Sequence, residues 1–291
     1  MNEAATHPGR SGDAGDERGT TNRGYAIGLA RAAGGAIIFS LPLLMTMEMW
    51  FLGFYIDRPR LFLFLIVNFG LLVVLSRFVG FEQTSTWSDD VLDAFAAYGV
   101  AVIVSAAVLA LFGILTPGMP RDEIVGKIAV QSVPASFGAM LARQQMSGDR
   151  KHEDQDEVER KAGYAGQLFL MTAGALFLAF NVAPTEEMIL IGFKMTPWHA
   201  IGLVLLSILL LHAFVYTVGF AGQEDMGGEG GFRSSFVRYT IAGYGIALLV
   251  SFYVLWTFGR TDGTDPGQIA SMTAVLAFPG AIGAAIARLV V

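Results

Sequence analysis

Eight long apolar segments dominate this chain, and each is long enough to cross a lipid bilayer. A membrane-crossing helix needs about 20 mainly apolar residues. The segments cover residues 28–55, 60–80, 92–115, 123–143, 165–193, 197–219, 237–259 and 268–290. They predict an all-α membrane protein with about eight transmembrane helices, whose main partner is the lipid bilayer.

The charge content supports this prediction and excludes several function classes. Only 15% of the 291 residues are charged, against about 25% in soluble domains. The chain has no cysteine, which excludes a disulfide framework, a thiolate metal site and a cysteine nucleophile. Its net charge of -6 offers no basic face to nucleic acid. No phosphate-binding loop, zinc-protease motif or nucleophile elbow is present, so we do not expect an enzyme and predict no cofactor.

The second half of the chain repeats the first. At an offset of 139 residues, Gly35-Ala36 matches Gly174-Ala175 and Glu48-Met49 matches Glu187-Met188. Further along the offset becomes 146 and then 145, with the matches Tyr98 to Tyr244, Phe112-Gly113 to Phe258-Gly259, Pro134 to Pro279 and Gly138 to Gly283. Ordered Gly, Pro, Tyr and Glu matches through four helices indicate duplication. Because each copy holds an even number of helices, we predict two parallel four-helix repeats related by an axis along the membrane normal.

Polar segments divide the chain further. We predict a disordered cytoplasmic tail over residues 1–22, a first membrane repeat over 23–143, a charged cytoplasmic linker over 144–162 and a second repeat over 163–291. Lys and Arg are more frequent beside the even-numbered loops and the termini than beside the odd-numbered loops. This bias predicts an inner-membrane protein with both termini in the cytoplasm.

The first apolar segment is too long for one crossing. From Gly24 to Tyr55 a single helix would measure about 48 Å, against a bilayer core of about 30 Å. Pro42 lies inside it, so we predict a kink or break there.

Paired glutamates are the sharpest candidates for a functional site. Glu48 lies about 10 Å below the end of its segment, and Glu187 repeats it in the second half. Intramembrane carboxylates are costly and often functional, so the pair is predicted to bind a cation or to carry protons near the repeat axis. Glu186 is a weaker candidate, because Met47 occupies its place in the first half.

Three other interpretations of Glu48 stay open. The nearby methionines, Met45, Met47, Met49 and Met188, would suit a soft transition metal, although methionine is also an ordinary core residue. Alternatively, Glu48 could form a structural ion pair with Lys127, which Met272 replaces in the second half. Finally, both glutamate side chains could reach interfacial water.

Three further polar residues are secondary candidates for a path. Asn68 and its counterpart Ser207 fall in mid-membrane, where interhelical hydrogen bonding is the simpler explanation. His212 lies in the sixth segment and is more typical of a packing group than of a proton relay.

Two functional hypotheses follow. The first is a transporter or channel for a cation or protons that uses the two glutamates at the repeat interface. The second is a non-transporting membrane scaffold or sensor whose buried glutamates are structural. The sequence leaves open whether the chain forms a homo-oligomer.

The stretch Met47 to Phe54 and the following helix from Pro59 to Phe81 resemble a family of bacterial integral membrane proteins with no established activity. The resemblance extends from about Gly24 to the C-terminus. It implies a multi-helix membrane fold and no particular reaction.

Overall fold

The computed structural model describes residues 16–79, 87–145, 152–217 and 236–290. Every regular element within these ranges is helical, and no strand occurs in them. The helices are α1 (Asp16–Leu44), α2 (Met47–Tyr55), α3 (Arg58–Val79), α4 (Trp87–Leu111), α5 (Arg121–Gln145), α6 (His152–Val182), α7 (Glu186–Lys194), α8 (Pro197–Thr217), α9 (Ala242–Thr257) and α10 (Pro266–Val290). A π-helical turn, Phe236–Ile241, leads into α9.

Eight of the described helical segments are long and apolar enough to cross a membrane, which confirms the predicted fold class. The ends of the polar stretches are helical as well. Helix α1 begins at Asp16 and α6 begins at His152, so parts of the predicted tail and linker continue the crossings. Once a crossing has formed, extension of its helix costs far less free energy than the start of a new helix, so the polar residues next to it can continue it. Residues 1–15 and 146–151, which hold the remainder of the tail and part of the linker, lie outside the described residues.

The first crossing breaks beside Pro42, as predicted. Helix α1 contains Pro42 and ends at Leu44, and α2 begins at Met47. The indole Nε1 of Trp50 donates to the Leu44 carbonyl at 2.8 Å, so an acceptor freed by the break is satisfied. The second half has the same break between α6 and α7.

One helix lies at the centre of each half. Helix α5 packs against α1, α2, α3 and α4, and α10 packs against α6, α7, α8 and α9. These two helices are the most buried of the eight crossings. The loops at 56–57, 112–120, 195–196 and 258–265 share one end of the helix bundle by the parity of the crossings, and we call this end the predicted outer end.

Matched glycines make the same close contact in both halves. A Cβ atom on Gly35 would overlap the Gly138 carbonyl and the Ala142 side chain, and one on Gly174 would overlap the Gly283 carbonyl and the Ala287 side chain. Close backbone approach of this kind is how helices pack in lipid. The common contact agrees with duplication, and the parallel two-repeat arrangement itself stays a prediction.

The two halves meet mainly along α3, which contacts α6 and α9. At the centre of this interface the Phe64 ring lies 5.2 Å from the Phe180 ring and 5.8 Å from the Phe258 ring. At the predicted outer end Arg60 donates to both carboxylate oxygens of Asp262, at 2.8 and 2.9 Å. The Arg60 guanidinium also lies over the Trp256 ring.

The Arg60–Asp262 pair predicts a small pH effect on stability. The hydrogen bond from Arg60 lowers the pKa of the Asp262 carboxyl. The pair therefore stabilises the fold above the ordinary carboxyl pKa of about 3.9, and this contribution is lost as the pH falls through the lower pKa of the folded state. We expect Asp262→Asn to lower the free energy of unfolding by less than about 1 kcal/mol at pH 7, because water screens exposed pairs. Thermal unfolding of both proteins should give this difference unchanged at pH 5; a difference already lost at pH 5 would contradict the assignment.

Candidate functional site

The structure places the two predicted glutamates in equivalent turns but in different surroundings. Glu48 lies in the first turn of α2 and is half-buried, whereas Glu187 lies in the first turn of α7 and is exposed. Helix α2 packs mainly on α5, and α7 packs on α10. The helix that carries each glutamate thus packs within its own half. The convergence of the two glutamates stays a prediction.

Glu186 has a partner of its own. Arg260, in the loop after α9, lies 3.2 Å from the Glu186 carboxylate and also donates to the Pro184 carbonyl at 2.9 Å. Arg260 therefore connects the break between α6 and α7 to the next loop at the predicted outer end. This contact gives Glu186 a structural role at the surface.

Methionines around the break do not gather at one place. Met45 and Met47 are 64% and 55% exposed, whereas Met49 and Met188 are buried. Two of these side chains are exposed and two are buried, and Met188 belongs to α7 of the other half, so the packing gives the soft-metal interpretation no support.

Lys127 pairs with a residue that the sequence analysis did not single out. Its ammonium nitrogen lies 2.7 Å from the carboxylate of Glu123, one turn earlier on α5. Only 10% of the Lys127 side chain and 18% of the Glu123 side chain are exposed. No contact joins Glu48 to Lys127 among the described residues, so the proposed structural pair of those two residues is replaced by Lys127–Glu123.

The break in the first crossing has a second polar neighbour on α5. Gln131 is fully buried, about 15 Å from the start of its helix. Its side-chain amide donates to the Leu43 carbonyl at 3.0 Å. Its own oxygen, Oε1, is buried without a hydrogen-bond donor among the described residues. The face of α5 toward α1 and α2 therefore carries an ion pair and then a buried acceptor.

Another face of α5 is polar where it meets α3 and α4. Asn68 donates to the Ser136 hydroxyl at 3.1 Å, and Ser132 donates to the Tyr98 oxygen at 3.3 Å. Asn68 is therefore an interhelical hydrogen-bonding group, the simpler of the two interpretations. Its Oδ1 atom, like the hydroxyl of buried Ser105, has no hydrogen-bond partner in the described part of the chain.

At the predicted offset of 145 residues, the second half carries few of these polar residues. Its residues at the positions of Glu123, Lys127, Gln131, Ser132 and Ser136 are Gln268, Met272, Leu276, Ala277 and Ala281. The backbone contact persists, because Gly53 packs on Lys127 as Gly192 packs on Met272. The halves thus share a scaffold, and the first half alone keeps the ion pair.

The other two secondary candidates form local bonds. The Ser207 hydroxyl donates to the Leu203 carbonyl within α8 at 2.7 Å. His212 Nδ1 lies 2.9 Å from the Thr240 hydroxyl in the π-helical turn. These contacts place both residues in helix packing and bring neither beside Glu48.

A signal for the α5 site was present in the sequence. Among the crossings α5 is the least apolar and also the most buried. A membrane helix with this composition must direct its polar groups toward its neighbours. The spacing Glu123, Lys127, Gln131 places three polar residues at successive turns.

Comparison with known families gives one result. The model of the family described as "Putative integral membrane protein (DUF2391)" matches residues 28–291. The chain belongs to the DUF2391 family. The match covers both halves and all eight crossings, in agreement with the resemblance noted in the sequence. The comparisons with curated proteins and with solved structures found no match.

Proposed function

We propose that this DUF2391 protein is a transporter or channel for protons or a small cation, with its polar route in the first half. The observation that carries the proposal is the Lys127–Glu123 ion pair in the first two turns of α5, which is largely buried between helices. Ionisable groups inside a membrane protein are costly and commonly mark ion or proton pathways.

Glu48 would be the titratable group of this route. It is half-buried in the first turn of α2 and has no hydrogen bond or ion pair with any described residue. Lys127 and Glu123 neutralise each other, and Glu48 is the only charged residue of α2, so its carboxylate would leave a negative charge on this helix. A proton or cation would restore neutrality there, whereas an anion would be repelled.

Buried acceptors would continue the route. Gln131 bonds the carbonyl of Leu43 just before the break, so its amide lies beside the segment that leads to Glu48. The free oxygens of Gln131 and Asn68 can each accept a hydrogen bond or contact a cation. Oxygen ligands of this kind suit hard cations and hydrated protons.

Flux through proteoliposomes tests the proposal. We expect Glu48→Gln to lower proton or cation flux roughly tenfold or more, as for removal of a titratable group from a relay. Lys127→Met and Gln131→Leu should also lower it, and each introduces the residue that the second half carries at that position. A pH-sensitive dye and a panel of cations provide the measurement.

Glu187→Gln is the matched control, because Glu187 occupies the equivalent turn but is exposed. Its flux should stay close to that of the wild-type protein. Equal flux from Glu48→Gln and wild type would remove Glu48 from the site. An absence of flux for every ion with correctly folded wild-type protein would favour the scaffold or sensor hypothesis instead.

A further inference from the structure

The main contact between the two halves is made by one helix, α3. Helix α3 of the first half packs on α6 and α9 of the second. The equivalent contact of the second half would place α8 on α1 and α4, but α8 makes its main contacts with α10, α9 and the π-helical turn. Along α3 the interface is therefore heterologous, because one surface of the first half meets a different surface of the second. Beside it, α6 also contacts α5 and, through the Phe177 and Phe39 rings, α1.

The counterpart helices differ in burial as this asymmetry requires. In the apolar stretch of each described crossing, 39% of the α3 residues are buried but only 11% of the α8 residues, the lowest share of the eight. Trp198, Leu205 and Leu209 of α8 are each more than 60% exposed. Helices of common origin thus differ because one has a partner in the other half.

The receiving surface is also left open in the first half. In the second half this surface is formed by Phe177, Phe180 and Phe258, whose rings contact Phe39 and Phe64. The matching residues of the first half are Ile38, Leu41 and Phe112, which are 63%, 40% and 42% exposed. Phe180 and Phe258, by contrast, are only 1% and 2% exposed.

We propose that a second copy of this chain covers both open surfaces, with α8 of each copy on α1 and α4 of the other. A heterologous contact closes into a ring when its rotation divides a full turn. The proposed dimer, with four repeats in one ring, corresponds to a quarter turn per repeat. The same chain is the proposed partner for one reason. The α8 surface is the counterpart of the α3 surface, and the α1–α4 surface is the counterpart of the α6–α9 surface. Within the chain, α3 already packs on α6 and α9. The proposal depends on the duplication and not on transport.

Cysteine cross-linking tests this arrangement cleanly, because the chain contains no cysteine. His199 is the counterpart of Arg60, and Thr116 lies in the loop that matches the loop of Asp262. Arg60 and Asp262 touch at 2.8 Å. Both His199 and Thr116 are exposed at the predicted outer end, so cysteines at these positions should not disturb folding.

We expect a mixture of differently tagged His199→Cys and Thr116→Cys proteins in liposomes to give a cross-linked pair with a short bis-maleimide. Each single variant alone should give none, because a heterologous contact joins unlike positions. The particle mass in nanodiscs should be that of two chains. One chain per particle, or cross-linking of either single variant with itself, would overturn the proposal. Because neither readout measures flux, failure here is distinct from failure of the transport proposal.

Discussion

Replacement of Glu123 by glutamine is expected to lower the free energy of unfolding by about 3 kcal/mol, because it leaves a buried ammonium unpaired. The effect should be large, since only 10% of the Lys127 side chain is exposed. Denaturant or thermal unfolding of the purified protein in one detergent would measure it.

The double variant Glu123→Gln, Lys127→Met should recover most of that loss. It installs the pair that the second half already carries at these positions, Gln268 and Met272. Replacement of a buried ion pair by packed, uncharged side chains is often neutral. Glu186→Gln is the matched control, because the Glu186 side chain is 67% exposed in its pair with Arg260 and should cost little. A double variant as unstable as the single one would show that Lys127 does not require Glu123.

The second large effect is expected at the glycine contacts. Gly138→Ala should lower the free energy of unfolding by about 1–3 kcal/mol, as overpacking does. Its new methyl group would meet the Gly35 carbonyl and the Phe39 Cβ atom, which the helix backbones hold in place. Gly283→Ala should cost a similar amount, because its Cβ atom would overlap the Gly174 carbonyl.

Gly70→Ala provides the control for this series. Gly70 lies within α3, and nothing lies within 4 Å of a Cβ atom placed there. Alanine favours helix over glycine by up to about 1 kcal/mol, so this variant should match or exceed the wild type in thermal unfolding. Equal stability of Gly70→Ala and Gly138→Ala would contradict the close contact between α1 and α5.

If both effects are found, they separate two functions of the same helix. Gly138 allows α5 to pack closely on α1, and Gly283 allows α10 to pack closely on α6 in the same way. The ion pair on α5 has no counterpart in the second half. An ion pair kept in one half alone, on a scaffold that folds with Met272 in the other, is a candidate for function more than for stability.

The sequence predicted those features that depend on local composition. Segment length and hydrophobicity are sufficient to identify eight crossings, because lipid admits few charges and fixes the length of a helix. Pro42 predicted the break, since proline removes a backbone donor inside a helix. Glu48 and Glu187 lie in the first turns of α2 and α7, which is consistent with the predicted offset between the halves.

The sequence did not determine which residue each polar side chain contacts. Lys127 had an apparent partner in Glu48, but the turn of α5 places it on Glu123. The burial of Gln131 and the exposure of Glu187 also depend on which helix lies alongside. A pattern of residues records the period of a helix but not the identity of its neighbours.

By itself, therefore, the sequence determined the all-helical membrane class and the eight segments long and apolar enough to cross a membrane. Only the tertiary structure decided that α3 packs on the second half, whereas the described part of α8 packs mainly on α9, α10 and the π-helical turn. The reason is physical: solvation by lipid acts on each segment separately, whereas contacts between helices depend on the relative rotation and position of whole units. These contacts between helices determine both the burial of the polar residues along α5 and the exposure of the surfaces on α8, α1 and α4.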